Sequence, residues 1–499
     1  EPKQFKVKPF ARDEQINRSE SDFMPIPTST NRYQENLNIT ILEKEKVSKI
    51  IPSPYSIKEL SGELVFSNSI SIAFDSEFTN EARYLKTALD TMYRGKIVLN
   101  ENGSGEITLK KKSLSVNNIQ NEAYRLNINK AGIEINANEA AGIFYGVQSL
   151  LALPKVSSFE SGQISIAFPL LMIEDAPRFS YRGFQLDVGR NFQTKETVKK
   201  VIDILSVYKI NTFLFYLTED EGWRLEIDGL PELTEVGAQR QHTKAQSAAL
   251  HPSYGSGPYA NKAGAYGSGY YTKEDFIEIL KYARQRHVRV IPEVNLPGHA
   301  RAAIKSMEKR YERYMEQGNK EAAEEYRLID PQDKSEYSSA QSYNDNIVCV
   351  CRESVYAFYE KVIDEIIDMY ASAGVPLEYF HVGGDEVPKG PWTKSPLCDD
   401  LIAESPELQS ADQLHPYFFR KTVEMLNERN IKIAGWEETA LKSENGSIVV
   451  NDEFIDKNII PYVWNNLWGN QDLGYKLANR GYPVVLCPVT NFYFDLAYD

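Results

Sequence analysis

The chain has 499 residues, 42% of them hydrophobic, enough for a large buried core and for more than one domain. Its 70 acidic against 56 basic residues leave a net charge of -14 with no long Lys/Arg block, which argues against nucleic acid as the partner, and against an anionic membrane surface. A neutral substrate fits that balance better, and no apolar run reaches the roughly eighteen residues of a membrane span. Residues 1–45 are polar, rich in Asn, Gln, Glu and Ser, and read as an extended N-terminal segment. Over 46–170 short β-like runs (64–66, 70–74, 107–109, 124–128 and 133–135) alternate with helical stretches at 81–92 and 140–153, which predicts a small α/β domain without chemistry of its own.

From 171 to 499 apolar β-like runs alternate with amphipathic helical stretches. Seven strands are expected, at 183–188, 212–217, 288–294, 377–383, 431–436, 459–464 and 482–487, with helices at 195–208, 274–286, 354–370 and 413–429 between them. Strands apolar on both faces imply a parallel sheet, and the expected fold is an α/β (β/α)8 TIM barrel. An eighth strand is wanting: Asp499 follows the seventh run closely, so the barrel as written is expected to be incomplete at its C-terminal side.

In such barrels the site gathers at the carboxyl ends of the strands. There the sequence places Arg190-Asn191, Glu219-Asp220-Glu221-Gly222-Trp223, Glu293-Val294-Asn295-Leu296-Pro297-Gly298-His299, Asp385-Glu386, Trp436-Glu437-Glu438, Trp464-Asn465-Asn466 and Tyr493-Phe494-Asp495. The adjacent carboxylates Asp385 and Glu386 follow Gly383-Gly384. Strand neighbours point to opposite faces, so the pair can share one site only if the chain turns, and two glycines permit that turn. Four cysteines (Cys349, Cys351, Cys398, Cys487) lack zinc-site spacing. Either Cys349 or Cys351 could pair with Cys398 across loops flanking the acidic motif, or all are free core thiols.

These segments together resemble the β-N-acetylhexosaminidases of glycoside hydrolase family twenty. The resemblance rests on Arg182-Gly183-Phe184-Gln185-Leu186-Asp187-Val188-Gly189-Arg190, Asp220-Glu221-Gly222-Trp223-Arg224, Pro292 to His299, His381-Val382-Gly383-Gly384-Asp385-Glu386 and Tyr493-Phe494-Asp495. Glu139 to Gly146 looks like that family's α/β lead-in. The resemblance implies removal of terminal β-linked N-acetylglucosamine or N-acetylgalactosamine, without metal or organic cofactor, by a retaining reaction in which the substrate's 2-acetamido oxygen attacks C1. Glu386 would then be general acid and base, and Asp385 would orient the acetamido N–H and stabilise the oxazolinium intermediate. Tyr493 would support the acetamido carbonyl, and His299 would help tune the acid. Arg190 and Asp495 would bind sugar hydroxyls, a planar guanidinium suiting a hydroxyl pair. Trp436 and Trp464 would enclose the sugar, indoles supplying flat apolar area.

Two departures stand out. Glu219 occupies the position of the family's pocket aspartate, and the eighth-strand Trp-x-Glu segment is missing. They motivate an alternative reading as a carbohydrate-binding or scaffold protein with a degenerate barrel. A metal hydrolase using His299, His381 and Asp385 is disfavoured, because the histidines come from different strands with no short ligand spacing. Long loops at 251–270, with Tyr254, Tyr259, Tyr266 and Tyr270, and at 307–346 lie on the site side; the first could stack sugars or pack locally, and the second includes a charged helix at 307–326. The partner is expected to be a glycan or glycoconjugate. A glycan hydrolase whose chain begins at Glu1, without a Met or leader, is most simply secreted, periplasmic or cell-surface.

Overall fold

The computed structural model describes residues 12, 29–43, 47–159, 163–243, 248–262, 267–444 and 447–494. The N-terminal domain is a mixed seven-stranded sheet in the order Ser56–Phe66, Ile166–Asp175, Tyr124–Asn129, Gly132–Ala137, Ile107–Lys111, Ser69–Phe74 and Lys96–Glu101. Helices Thr79–Met92 and Ala140–Leu151 cover it, Leu85, Leu89, Phe144 and Leu150 packing into one core with Ile72, Leu109, Leu126 and Ile135. The strand Ile166–Asp175 crosses the boundary expected at 170 and belongs wholly to this sheet, where it pairs with the strands on both sides. Its alternation was masked by consecutive apolar residues.

Buried and half-buried ionic contacts join this domain to the barrel. Lys209 Nζ lies 2.8 Å from Asp175 Oδ2 and donates to the Tyr124 hydroxyl at 2.9 Å, while His287 Nε2 meets Glu81 Oε1 at 2.7 Å and Arg182 meets Glu122 at 2.6 Å. Such pairs are costly to desolvate and worth having mainly for the one orientation in which they match.

The second domain contains all seven expected strands: Gly183–Asp187, Thr212–Glu219, Arg289–Val294, Tyr379–His381, Lys432–Trp436, Ile459–Val463 and Val485–Leu486. Each is parallel to its neighbour in that order. Among the described residues the first and last of these strands do not pair with each other, so the parallel sheet curls into part of a barrel and stays open on one side. Every residue of Thr212–Glu219 is buried, as a strand covered on both faces requires. Intervening helices start where the sequence supplies caps: Thr194 accepts from Thr197 N before Lys195–Val207, and Thr272 with Asp275 forms a reciprocal capping box before Lys273–Arg284. Gly374, in the left-handed conformation at φ 65°, ends Glu353–Ala373. The charged helix expected at 307–326 is two, Arg301–Glu316 and Lys320–Glu324, and its inner face is buried through Met307, Arg310 and Ala323.

Because all seven strands run the same way, their carboxyl ends share one rim. The fourth regular strand is short. After His381 the chain leaves extended geometry at Gly383 (φ 71°) and Gly384 (φ 97°), values that only glycine adopts without strain. No helix among the described residues is long and apolar enough to cross a membrane.

Candidate active site

The glycine turn brings the two carboxylates to one point. Asp385 Oδ2 and Glu386 Oε2 both lie 3.5 Å from His299 Nε2, although the residues are adjacent in the chain. Glu386 itself sits at φ 53°, which completes the reversal. A side chain at Gly383 would put its Cβ 1.9 Å from Asn295 Oδ1, so the approach of these two strand ends requires glycine as well. Asn295 holds the turn from the third strand end. Its Nδ2 donates to Asp385 Oδ1 and to the Tyr216 hydroxyl, each at 2.7 Å, and its Oδ1 accepts the Gly384 N–H at 2.9 Å. One carboxylate oxygen of Asp385 is thereby pinned and the other is left facing His299.

Behind this pair runs a charge relay of buried groups. His299, only 2% exposed, places Nδ1 3.0 Å from Glu219 Oε1, and Arg190 binds the same oxygen at 2.5 Å. Arg190 also holds Asp187 Oδ2 at 2.7 Å, and the Tyr216 hydroxyl donates to Glu219 at 2.8 Å. Burial alone would raise the Glu219 carboxyl, but the charges of Arg190 and His299 prevail and hold it below the usual carboxylate range. His299 is the converse case: burial opposes its protonation, and Glu219 and Asp385 more than restore it, leaving the imidazole well above its ordinary value. Asp220, buried beside ionised Glu219, is pushed up; it accepts the Arg301 N–H at 3.1 Å and Asn346 Nδ2 at 2.9 Å.

The fifth and sixth strand ends close the site. Trp436 lies deeper than a pocket wall: its indole N–H donates to Glu293 Oε1 at 2.9 Å, and its ring packs edge-on against His381 at 5.0 Å in the barrel interior. Trp464 is half-buried on the rim, with Nε1 3.4 Å from Glu438 Oε2. Glu437 accepts the backbone N–H groups of Trp464 and Asn465 at 3.0 and 3.1 Å, and burial raises its pKa to about 7. Glu438 accepts the backbone N–H of Glu386; burial first, then Glu437 and Asp385, drive its carboxyl well above the usual range. Tyr493 is raised first by burial, then by Cys487 and, after it, by Asp385. Asp495 lies outside the described residues, as does Tyr266; Tyr254 and Tyr259 are exposed, with Lys262 Nζ 4.1 Å from the Tyr259 ring centre.

Between 307 and 346 the chain supplies one further contact, in which Gln341 Nε2 donates to Glu386 Oε2 at 2.7 Å. That segment is tied to the loop after the acidic turn by Trp392 Nε1 donating to Val348 O at 2.8 Å, and by a disulfide between Cys351 and Cys398. Of the two pairings open in the sequence, Cys351 makes the bond, and Cys349 remains a thiol with its sulfur 3.9 Å from that of Cys398.

Residues 179–499 match the model of the glycosyl hydrolase family 20 catalytic domain, and 47–176 match that of the family's domain 2. The chain belongs to glycosyl hydrolase family 20. Among its relatives in the family, a β-hexosaminidase of Vibrio vulnificus is 36% identical over 97% of the chain and 55% of its own length. An N,N'-diacetylchitobiase of Vibrio harveyi is 33% identical over 97% of the chain and 56% of its length, so the chain spans little more than half of either protein. The solved family 20 exo-β-N-acetylglucosaminidase of Vibrio harveyi, in complex with N-acetylglucosamine, superposes with a TM-score of 0.74 at 30% identity, covering 90% of the chain and 62% of that protein. Family 20 membership fits the partly closed parallel barrel and its α/β lead-in domain. The sequence placed Glu293 at a strand end but gave it no role, and it missed Gln341 and Tyr216 as neighbours of the acidic turn. Tyr216 sits inside an apolar strand where a polar atom reads as an interruption, and Gln341 lies in a loop without periodicity.

Proposed function

We propose that this chain is an exo-acting β-N-acetylhexosaminidase that removes terminal β-linked N-acetylglucosamine or N-acetylgalactosamine from a glycan or glycoconjugate. The reading is carried by one observation: Asp385 Oδ2 and Glu386 Oε2 converge to 3.5 Å from a single buried nitrogen, at the rim where a barrel keeps its chemistry. In this reading Glu386 protonates the glycosidic oxygen and then, as base, activates water. Asp385, with one oxygen pinned by Asn295, takes the acetamido N–H on the other and stabilises positive charge as the acetamido oxygen closes on C1. Tyr493 supports the acetamido carbonyl. His299 carries the influence of Glu219 to both acids, and the extra methylene of Glu219 is used in reaching Arg190 and His299 together.

Arg190, held by Asp187 and Glu219 through its two terminal nitrogens, offers its remaining N–H donors to sugar hydroxyls, with Asp495 as a second hydroxyl ligand. Trp436 supplies the floor and Trp464 the flank of the sugar pocket. The Cys351–Cys398 bond fits an oxidising compartment and supports a secreted, periplasmic or cell-surface location. Turnover of an aryl N-acetyl-β-glucosaminide tests the reading: release of the phenol that is lost by a factor of about 10²–10⁴ in Glu386→Gln is expected of a general acid–base residue. Sugar binding without any release would instead favour a carbohydrate-binding protein.

A further inference from the structure

The geometry points to a site for a borderline transition-metal dication, zinc in particular, formed by His299, Asp385 and Glu386, whose occupancy blocks the acidic turn. Three separate features converge on it. First, Asp385 Oδ2 and Glu386 Oε2 are each 3.5 Å from His299 Nε2, and one donor atom from each of the three residues lies within 4.8 Å of the others. Tetrahedral zinc, with nitrogen and oxygen ligands at about 2.0–2.1 Å, sets its ligands roughly 3.3–3.4 Å apart, so two of the three edges are already at the required length. The third, carboxylate–carboxylate edge lies within 4.8 Å.

Second, His299 Nε2 is a buried ring nitrogen with no hydrogen-bond partner among the described residues, and it faces the two carboxylates. Its nearest polar neighbours are those two carboxylates at 3.5 Å, beyond a good hydrogen bond, and a ligand between the three would satisfy it. Third, the other ring nitrogen is held by a carboxylate: Glu219 Oε1 is 3.0 Å from Nδ1. A histidine that ligates zinc through one nitrogen is typically oriented through the other by such a carboxylate. Here that partner exists before any metal arrives, and Arg190 fixes it in turn at 2.5 Å. The remaining contacts are compatible with ligation. Asn295 uses Oδ1 of Asp385, leaving Oδ2 free for the metal, and Gln341 takes one lone pair of Glu386 Oε2, which has a second. Both carboxylates keep solvent access, with side chains 15% and 26% exposed, so the ion has an entry path and a fourth position for water.

A cation bound there would displace the proton from His299 Nε2 to solvent, neutralise both acids and occupy the space of the acetamido group and the scissile oxygen. It would therefore compete with substrate and serve no step of hydrolysis. Calorimetric titration of the protein with zinc chloride measures binding without requiring turnover. Hydrolysis of an aryl N-acetyl-β-glucosaminide at rising zinc tests competition, and that second measurement alone rests on the hydrolase reading. One zinc per chain is expected, with binding weakened at least about tenfold in both His299→Gln and Asp385→Asn, and inhibition that is competitive and reversed by chelator. Magnesium, which prefers six oxygen ligands and keeps its waters, is expected to have no effect at the same concentration. No heat of binding at millimolar zinc, or binding unchanged in both variants, overturns the site. Zinc bound at these residues by a protein that hydrolyses nothing would leave the site standing and refute the hydrolase reading.

Discussion

Asn295→Ala removes the residue that pins the acidic turn without touching either acid. The side chain donates to Asp385 Oδ1 and Tyr216 and accepts from Gly384 N, all within 2.9 Å, and is 1% exposed. A hydrogen bond to a charged group is worth about 1.5–3 kcal/mol, and each 1.4 kcal/mol is about a factor of ten in rate. If that energy is expressed as the orientation of Asp385 in the transition state, kcat should fall by about 10- to 100-fold. Asn295→Asp keeps the shape but sets a second carboxyl 2.7 Å from Asp385 Oδ1, where the two cannot both ionise. It should lose at least as much. The assay is steady-state hydrolysis of an aryl N-acetyl-β-glucosaminide, with thermal midpoints to separate catalytic loss from unfolding. Asn295→Ala that remains folded and keeps kcat within about twofold would refute the claim that Asp385 acts from a fixed position.

Three other perturbations follow from the same contacts. Gly383→Ala adds a Cβ 1.9 Å from Asn295 Oδ1 at φ 71°, so the turn must open; activity should fall at least as far as in Asn295→Ala, and a crystal structure of the variant should show Asn295 displaced. His415 donates to Gly384 O at 3.2 Å, and burial lowers its pKa to about 4. Its folded-state value lies below the unfolded one of about 6.5, so the stability it contributes is complete above that pH and is lost as pH falls toward 4. That loss amounts to at most about 3.4 kcal/mol, less where solvent reaches the ring. The thermal midpoint of His415→Gln should therefore fall less steeply than the parent's over this window; parallel acid limbs would show that the histidine plays no such part. Asp385→Asn should weaken binding of a thiazoline mimic of the cyclised intermediate far more than binding of N-acetylglucosamine, read by inhibition constants for the former and calorimetry for both.

Much of the barrel was legible because a buried parallel strand leaves a plain mark, an apolar run such as Phe213 to Leu217 followed by a polar cluster at its carboxyl end. The acidic pair was legible for a sharper reason. Adjacent strand residues point to opposite faces, and Gly383-Gly384 offered a turn that would let Asp385 and Glu386 share one site; the backbone is left-handed at both glycines and at Glu386. What escaped the sequence depends on contacts between distant segments. Cys349 and Cys351 both lie close enough to Cys398 that spacing could not choose between them. Trp436 was expected to enclose the sugar, and it is the position of Glu293 that turns its indole inward. Gln341 reaches Glu386 from a loop whose path is set by a disulfide and by Trp392, neither of which leaves a periodic trace.

The claim on which the chemistry stands is that the sugar's own acetamido oxygen displaces the leaving group while Asp385 steadies it and Glu386 delivers the proton. It is tested most directly by kcat/KM for aryl glycosides whose N-acetyl group carries none, one, two or three fluorine atoms, since fluorine drains electron density from that oxygen without altering the sugar ring. A steep fall with each fluorine is predicted. Rates indifferent to fluorination, together with a glycosyl group covalently attached to an enzyme carboxylate, would contradict it.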